Sequence, residues 1–352
     1  MLSQSKRKVA LFAAISLFCA MVEMVIPKPG FIRIGLSNIP IMLALYCSFS
    51  LSEYSLLVLV RLVLQAVLNG TLVSYAFILS ASAGLSSATV MYLAYKFFEK
   101  KSKAVHISFV TIGEAGAFVS NLVQIYVSHF FLGDGVYALT SLILGCGMVT
   151  SFVLGLFTSK FCEKSEFMRT IRDVTFFAAF IPDYKVMTSR IKFDRVLKIV
   201  ISAVALVICL FADSLVVSGG ICLMFLCACI VAKRHLRFWP VVWTIFRTVL
   251  ISVLVPSGKI IFSTGILTVT QDSVILGLDR SFAILSSCWF SRFIIPTRDE
   301  IDGALKPDSV AYMTFAHFKE ITEQWYKIDE KMSVAKKVDK TLVNSVKNCS
   351  NF

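Results

Sequence analysis

Residues 26–40 read IPKPGFIRIGLSNIP, and long runs of apolar residues stand on both sides of them. The stretch holds Pro27, Pro29 and Pro40, Gly30 and Gly35, the cations Lys28 and Arg33, and Asn38. Proline lacks the backbone N–H and locks φ, so helix cannot continue through these residues unbroken. The chain therefore leaves one apolar helix by a stiff polar connection and enters another.

That rhythm repeats along the chain. Apolar runs cover roughly Val9–Ile26, Leu36–Leu51, Tyr54–Leu68, Ser74–Phe98, Ile107–Phe131 and Tyr137–Phe161. After a polar interval they resume at Val196–Ala212, Leu215–Ala232, Phe238–Val255 and Ser281–Pro296. Each is near the ~20 residues that cross a bilayer as a helix. Hydrophobic residues make up 57% of the 352 and charged ones 16%, against about 25% charged in soluble domains. Mean hydropathy is +0.78. The expected fold is all-α: a polytopic transmembrane helical bundle of about ten helices.

The net charge of +13 does not point to nucleic acid. Lys6, Arg7 and Lys8 precede the first run; Lys96, Lys100, Lys101 and Lys103 follow the fourth; Lys160, Lys164, Arg169 and Arg172 follow the sixth; Lys233, Arg234 and Arg237 follow the eighth. Cations on alternate loops are the positive-inside pattern. It predicts a multi-pass protein of the cytoplasmic (inner) cell membrane with both termini cytoplasmic, in contact with membrane lipid. Lys28 and Arg33 break the pattern, since their loop falls outside. The N-terminus imitates a signal peptide but no A-x-A site follows, so a retained first helix is expected.

Four units follow from these boundaries. Residues 1–161 form a six-helix membrane domain. Residues 162–195 form a polar cytoplasmic linker, 196–305 a second membrane domain, and 306–352 a cytoplasmic amphipathic tail. In that tail Phe315, Phe318, Ile321, Trp325, Ile328 and Met332 recur at helical spacing. Such a stripe must dock on the chain's own membrane domain, on lipid or on a partner's groove. The opposite face mixes Lys319, Glu320, Glu323 and Lys327, unlike the cationic face of a lipid-surface helix.

Ionisable groups within spanning helices are costly and face the protein interior. Glu23, Arg61, Glu114 and Arg247 are such groups. Gln65 lies four residues after Arg61 and shares its face. Asn121 lies two turns after Glu114, and Gln124 three residues further. One reading pairs Arg61 with Glu114 or Glu23 to hold the bundle together; Arg247 pairs or snorkels. The sharper reading is a substrate cavity lined by Glu23, Asn38, Arg61, Gln65, Glu114, Asn121 and Gln124.

Catalytic and metal signatures are missing from the sequence. There is no Walker A motif, no paired Asp-rich magnesium motif and no Ser/His/Asp set. A metal site at Cys222, Cys227 and Cys229 would need thiolates in hydrocarbon. No cofactor, no metal and no catalysis by this chain are expected.

The first half resembles the Gx transporter family, also described as heptaprenyl diphosphate synthase component I, and is similar to S components of energy-coupling factor (ECF) transporters. The resemblance rests on Glu23, Ile26-Pro27, Pro29-Gly30, Gly35-Leu36, Asn38, Arg61, Gly70-Thr71, Gly116, Asn121, Gln124, Gly145, Gly147 and Gly155, within residues 8–161. The family's His before the Asn is Ser120 here. Residues 193–305 are similar to the T component of those transporters, through the segment from Gly265 to Ser273, with Gly277, Arg280, Ser291-Arg292, Pro296 and Asp299-Glu300-Ile301. The tail lacks the Arg-Gly signature of T components.

The resemblance implies an S-like module fused to a T-like one. It implies a loop closing over substrate, with Pro27, Gly30, Arg33 and Gly35 joining the binding residues. It implies import of a small molecule (a vitamin, quinone or isoprenoid precursor) with separate ABC-type ATPase subunits, held by Phe318, Ile321, Trp325 and Ile328. Two rivals stand beside it: a non-catalytic membrane subunit assisting heptaprenyl diphosphate or menaquinone side-chain synthesis, and a structural membrane protein.

Overall fold

The apolar runs fold as helices because no other spanning element satisfies every backbone group internally in lipid. The computed structural model describes residues 4–25, 34–101, 108–172, 200, 204, 208, 214–234, 238–263, 268–295, 309–328 and 332–350. Among them are twelve α-helices: α1 (Gln4–Val25), α2 (Ile39–Tyr46), α3 (Leu51–Asn69), α4 (Tyr75–Lys101), α5 (Phe109–Leu132), α6 (Thr140–Lys164), α7 (Glu166–Arg172), α8 (Leu215–Val231), α9 (Phe238–Val253), α10 (Gln271–Ile294), α11 (Val310–Lys327) and α12 (Val334–Ser350). Short 3-10 turns precede α2 and α6, and strands β1 (Ile260–Ser263) and β2 (Thr268–Thr270) pair antiparallel between α9 and α10. The chain is an all-α helical membrane protein.

Among the described residues five helices are long and apolar enough to cross a membrane: α3, α4, α5, α6 with its preceding turn, and α10. That is fewer than the roughly ten apolar runs. The run at 196–212 lies largely outside the described residues. The run Leu36–Leu51 is not one helix. Ser50 accepts from Glu53 N and the Glu53 carboxylate accepts from Ser50 N, a capping box that starts α3 afresh. That leaves only eight residues for α2.

α1 is apolar on every side and buried on almost every side, from Val9 to Ala20, as expected of a helix inside a bundle. It packs against α3 and α2 on one flank and α11 on another. Around it Leu59 of α3, Phe118, Tyr126 and Phe130 of α5, and Val149 and Val153 of α6 are exposed, an apolar surface of the kind that faces lipid.

The tail stripe is covered within the chain itself. Phe315, Phe318 and Ile321 are buried in the same cluster as α1, Trp325 packs against it, and the Phe18 and Trp325 rings meet edge-on at 5.3 Å. Ile328 is buried as well. The helix stops at Lys327, so Ile328 and Met332 do not continue it. Of the three docks open to the stripe, the chain's own membrane domain takes it, because α1 presents a matching apolar face. The linker also begins as structure. Asp339 of α12 accepts from Ser165 Oγ at 2.5 Å, Glu166 N at 3.1 Å and Phe167 N at 3.2 Å, capping α7.

α8, α9 and α10 form a second core around Cys222, Phe225, Cys229, Leu285, Trp289 and Phe290. α10 reaches from that core to the turn end of the first six helices. Ser291 Oγ accepts from Val73 N at 3.0 Å and Ser287 Oγ from Tyr75 N at 3.3 Å, at the N-terminus of α4. Arg280 donates to Leu132 O at the C-terminus of α5. Arg292 lies against Gly70, the C-cap of α3. Helix N-termini present unsatisfied N–H groups and C-termini unsatisfied carbonyls, so hydroxyls at one and guanidiniums at the other match the charge at each end.

Candidate functional site

A cavity of about 300 Å³ lies within the first six helices. One wall is α3, where Arg61, Gln65 and Asn69 recur every four residues and so fall on one face. The facing wall is α5 and α6, with Ser120, Asn121, Gln124, Thr150 and Ser151. α4 contributes Phe77, Ser80, Ser87 and Met91. The end of α1 and the turn before α2 close it with Glu23, Gly35, Ser37 and Asn38.

Local chemistry places these groups. Gly35 sits at φ +82°, a left-handed conformation that glycine adopts without penalty. Its N–H there donates to Glu23 Oε1 at 3.2 Å. Ser16 Oγ donates to Ser37 O at 2.8 Å, tying the turn to α1. Arg61 Nη2 donates to Ser37 Oγ at 2.8 Å. Both charged residues are buried, Glu23 at 8% exposure and Arg61 at 6%. A buried ion is stable only when paired or hydrogen-bonded, and the Ser37–Gly35 turn supplies such bonds to both.

On the other wall Gln124 Nε2 donates to Ser120 Oγ at 3.2 Å and Asn121 Nδ2 to Ile143 O at 3.5 Å. The Asn121 amide lies where a side chain at 147 would be: a Cβ on Gly147 would overlap Nδ2. Ser87, only 3% exposed, has a hydroxyl with no hydrogen-bond partner among the described residues.

The sequence expectations divide accordingly. Glu23, Gly35, Asn38, Arg61, Gln65, Asn121 and Gln124 all line the cavity. Glu114 does not: it is half-buried and lies off the lining, since the cavity face of α5 runs through Gly113, Ala117, Ser120 and Asn121 instead. Pro27, Gly30 and Arg33, with Lys28, lie outside the described residues. Arg247 donates its Nε–H to Trp243 O at 3.1 Å, one turn back on α9. Sequence reasoning missed Ser37, Asn69, Ser80, Ser87, Thr150 and Ser151. Asn69 had a signal, the four-residue spacing from Arg61 and Gln65. Among the described residues no group of three or more His, Cys, Asp and Glu is placed to hold a metal ion.

The fold and cavity define a multi-helix membrane protein with a charge-bearing cavity lined by its first six helices. Residues 12–161, the part that builds the chamber, match the family described as heptaprenyl diphosphate synthase component I. Residues 194–297, which include α8–α10, match a domain of unknown function. No curated protein and no solved structure matches the chain.

Proposed function

We propose that the chain is a membrane transporter component whose first six helices bind a small molecule for import. The observation that carries this reading is the cavity itself. It is bounded by all six helices and has the size at which ligand pockets begin, roughly 300–1,000 Å³. It holds two buried charges and several side-chain amides. Intramembrane ionisable groups facing a cavity mark substrate paths by default. In this reading Glu23, Gly35, Asn38, Arg61, Gln65, Asn121 and Gln124 bind, and a separate ATPase supplies energy. Both termini are cytoplasmic.

The test is mass spectrometry of small molecules released from the detergent-purified chain, wild type against Gln124→Leu. A compound released by the wild type and reduced at least tenfold by the variant supports the reading. Release of nothing in either sinks it.

A second reading draws on the match over residues 12–161: a membrane subunit that assists heptaprenyl diphosphate synthesis together with the other component of the synthase. Affinity purification from native membranes separates the two. An ABC-type ATPase in the eluate favours transport, and a prenyltransferase favours assistance. The stripe residues Phe318, Ile321, Trp325 and Ile328 are covered, so a partner that joins without displacing α11 meets other surfaces.

A further inference from the structure

One hydroxyl of the cavity wall differs from its neighbours on the same helix. On α4 Ser82 Oγ donates to Ile78 O, Ser86 Oγ to Ser82 O and Thr89 Oγ1 to Leu85 O, each at 2.8 Å. Bonding back to a carbonyl one turn earlier is how a helix satisfies its own Ser and Thr hydroxyls. None of these three residues lines the cavity. Ser87 does line it, and its buried hydroxyl has no hydrogen-bond partner among the described residues. Buried hydroxyls are almost always bonded, so a hydroxyl left open on the cavity face of α4, and there alone among these four, calls for a partner that enters the cavity.

We infer that Ser87 contacts the ligand, and that the part of the cavity around it takes a flat ring carrying a hydrogen-bonding atom, a hydroxyl, a carbonyl or a ring nitrogen. This rests on the cavity being the binding site.

The surroundings of Ser87 set that class. A Cβ on Gly116 of α5 would meet Met91 Cγ at 2.6 Å, and Met91 Sδ and Ser87 Oγ each at 3.0 Å, so the thioether and the hydroxyl lie side by side against that glycine. One turn earlier on α5, a Cβ on Gly113 would meet Met42 Cε at 3.2 Å. Two glycines on adjacent turns therefore seat one methionine from α4 and one from α2, and both methionines line the cavity. A thioether packs favourably against an aromatic ring, and its unbranched chain adapts to the shape beside it. In the empty cavity Ser87 Oγ has almost no surface of its own, with Met91 next to it. A ring that displaces the Met91 chain takes over its contacts and meets the hydroxyl. A hydroxyl both donates and accepts, so it pairs with any of the three kinds of atom on the edge of that ring.

The experiment titrates the full chain in detergent with two probes of the same ring, 4-fluorophenol and fluorobenzene, and reads saturable binding from fluorine NMR line widths. The expected result is that both bind and that the phenol binds about three- to tenfold tighter, the worth of one hydrogen bond. Ser87→Ala erases that difference, while Ser86→Ala, one residue away and off the lining, keeps it. The melting temperature of Ser87→Ala without probe stays at or above that of the wild type, because no bond within the protein is lost. A preference for the phenol that survives Ser87→Ala overturns the contact. A lower melting temperature in Ser87→Ala shows a structural hydroxyl and overturns it as well. If neither ring binds saturably, the ring class falls, and the cavity reading is judged separately by the compound that the wild type releases and Gln124→Leu does not. If that compound is missing too, both fall together.

Discussion

At the scale of single residues, Gly147 and Asn121 make the sharpest case. The Asn121 amide occupies the space a Cβ on residue 147 would take, so the amide is aimed by the absence of a side chain on the neighbouring helix. Gly147→Ala must push Asn121 aside, at about 1–3 kcal/mol of overpacking. The expected outcome is at least a tenfold loss of the cavity's co-purified ligand with the chain still monodisperse by gel filtration. Unchanged ligand content would show that Asn121 is not a contact. A second residue-scale prediction concerns His317 on α11. Burial pushes its imidazole down to about 4, against the opposing pull of Glu320. The unfolded chain, with an ordinary value near 6.5, takes up a proton that the folded one refuses, so acidification favours unfolding. The contribution is intact above about pH 6.5 and is lost as pH falls from there towards 4, on the order of 3 kcal/mol in all. Melting curves in detergent should show this slope in the wild type and lose most of it in His317→Gln.

At the scale of elements, helix ends are joined by side chains from elsewhere in the chain. α7 begins at a cap supplied by Asp339 of α12, and α4 begins at hydroxyls supplied by α10. Removing a cap costs about 0.5–2 kcal/mol. Asp339→Ala should therefore speed amide exchange in both α7 and α12, while leaving α3–α6 protected; exchange confined to α12 would refute the joint. The double change Ser287→Ala and Ser291→Ala should loosen the α3–α4 turn, read as faster exchange at residues 71–76. Trp325→Glu buries a charge against Phe18, and should lower the melting temperature through the α1–α11 contact rather than by shedding a partner.

At the scale of the whole molecule, some of this was legible in the sequence and some was not. Helical class and the polar faces of α3 and α5 were legible, because Arg61–Gln65 and Asn121–Gln124 repeat with the helix period. The missing residues are mostly Ser and Thr. Their hydropathy is close to neutral and they also serve helix packing in membranes, so Ser87 and Ser151 do not stand out from Ser82 or Ser86. Glu114 was misplaced because it shares the face of Asn121 only coarsely, and the cavity selects the Gly113 side. The docking of α10 and α11 could not be read, since each joins residues about two to three hundred positions apart. The sidedness expected from the cation pattern is testable: on a cysteine-free background, Ser52→Cys near the start of α3 and Val73→Cys in the turn after it, both exposed, should label from opposite faces of sealed vesicles. Labelling from one face would overturn the assignment.

The seating of α11 on α1 also sets an order of assembly. Translation yields α1 among the first elements and α11 some three hundred residues later, at about 5–20 residues per second. For that interval, on the order of half a minute, α11 is not yet there to cover Phe18, and a contact of such sequence separation is slow to close. A product that stops short of α11 therefore lacks the helix that covers the Phe18 side of α1.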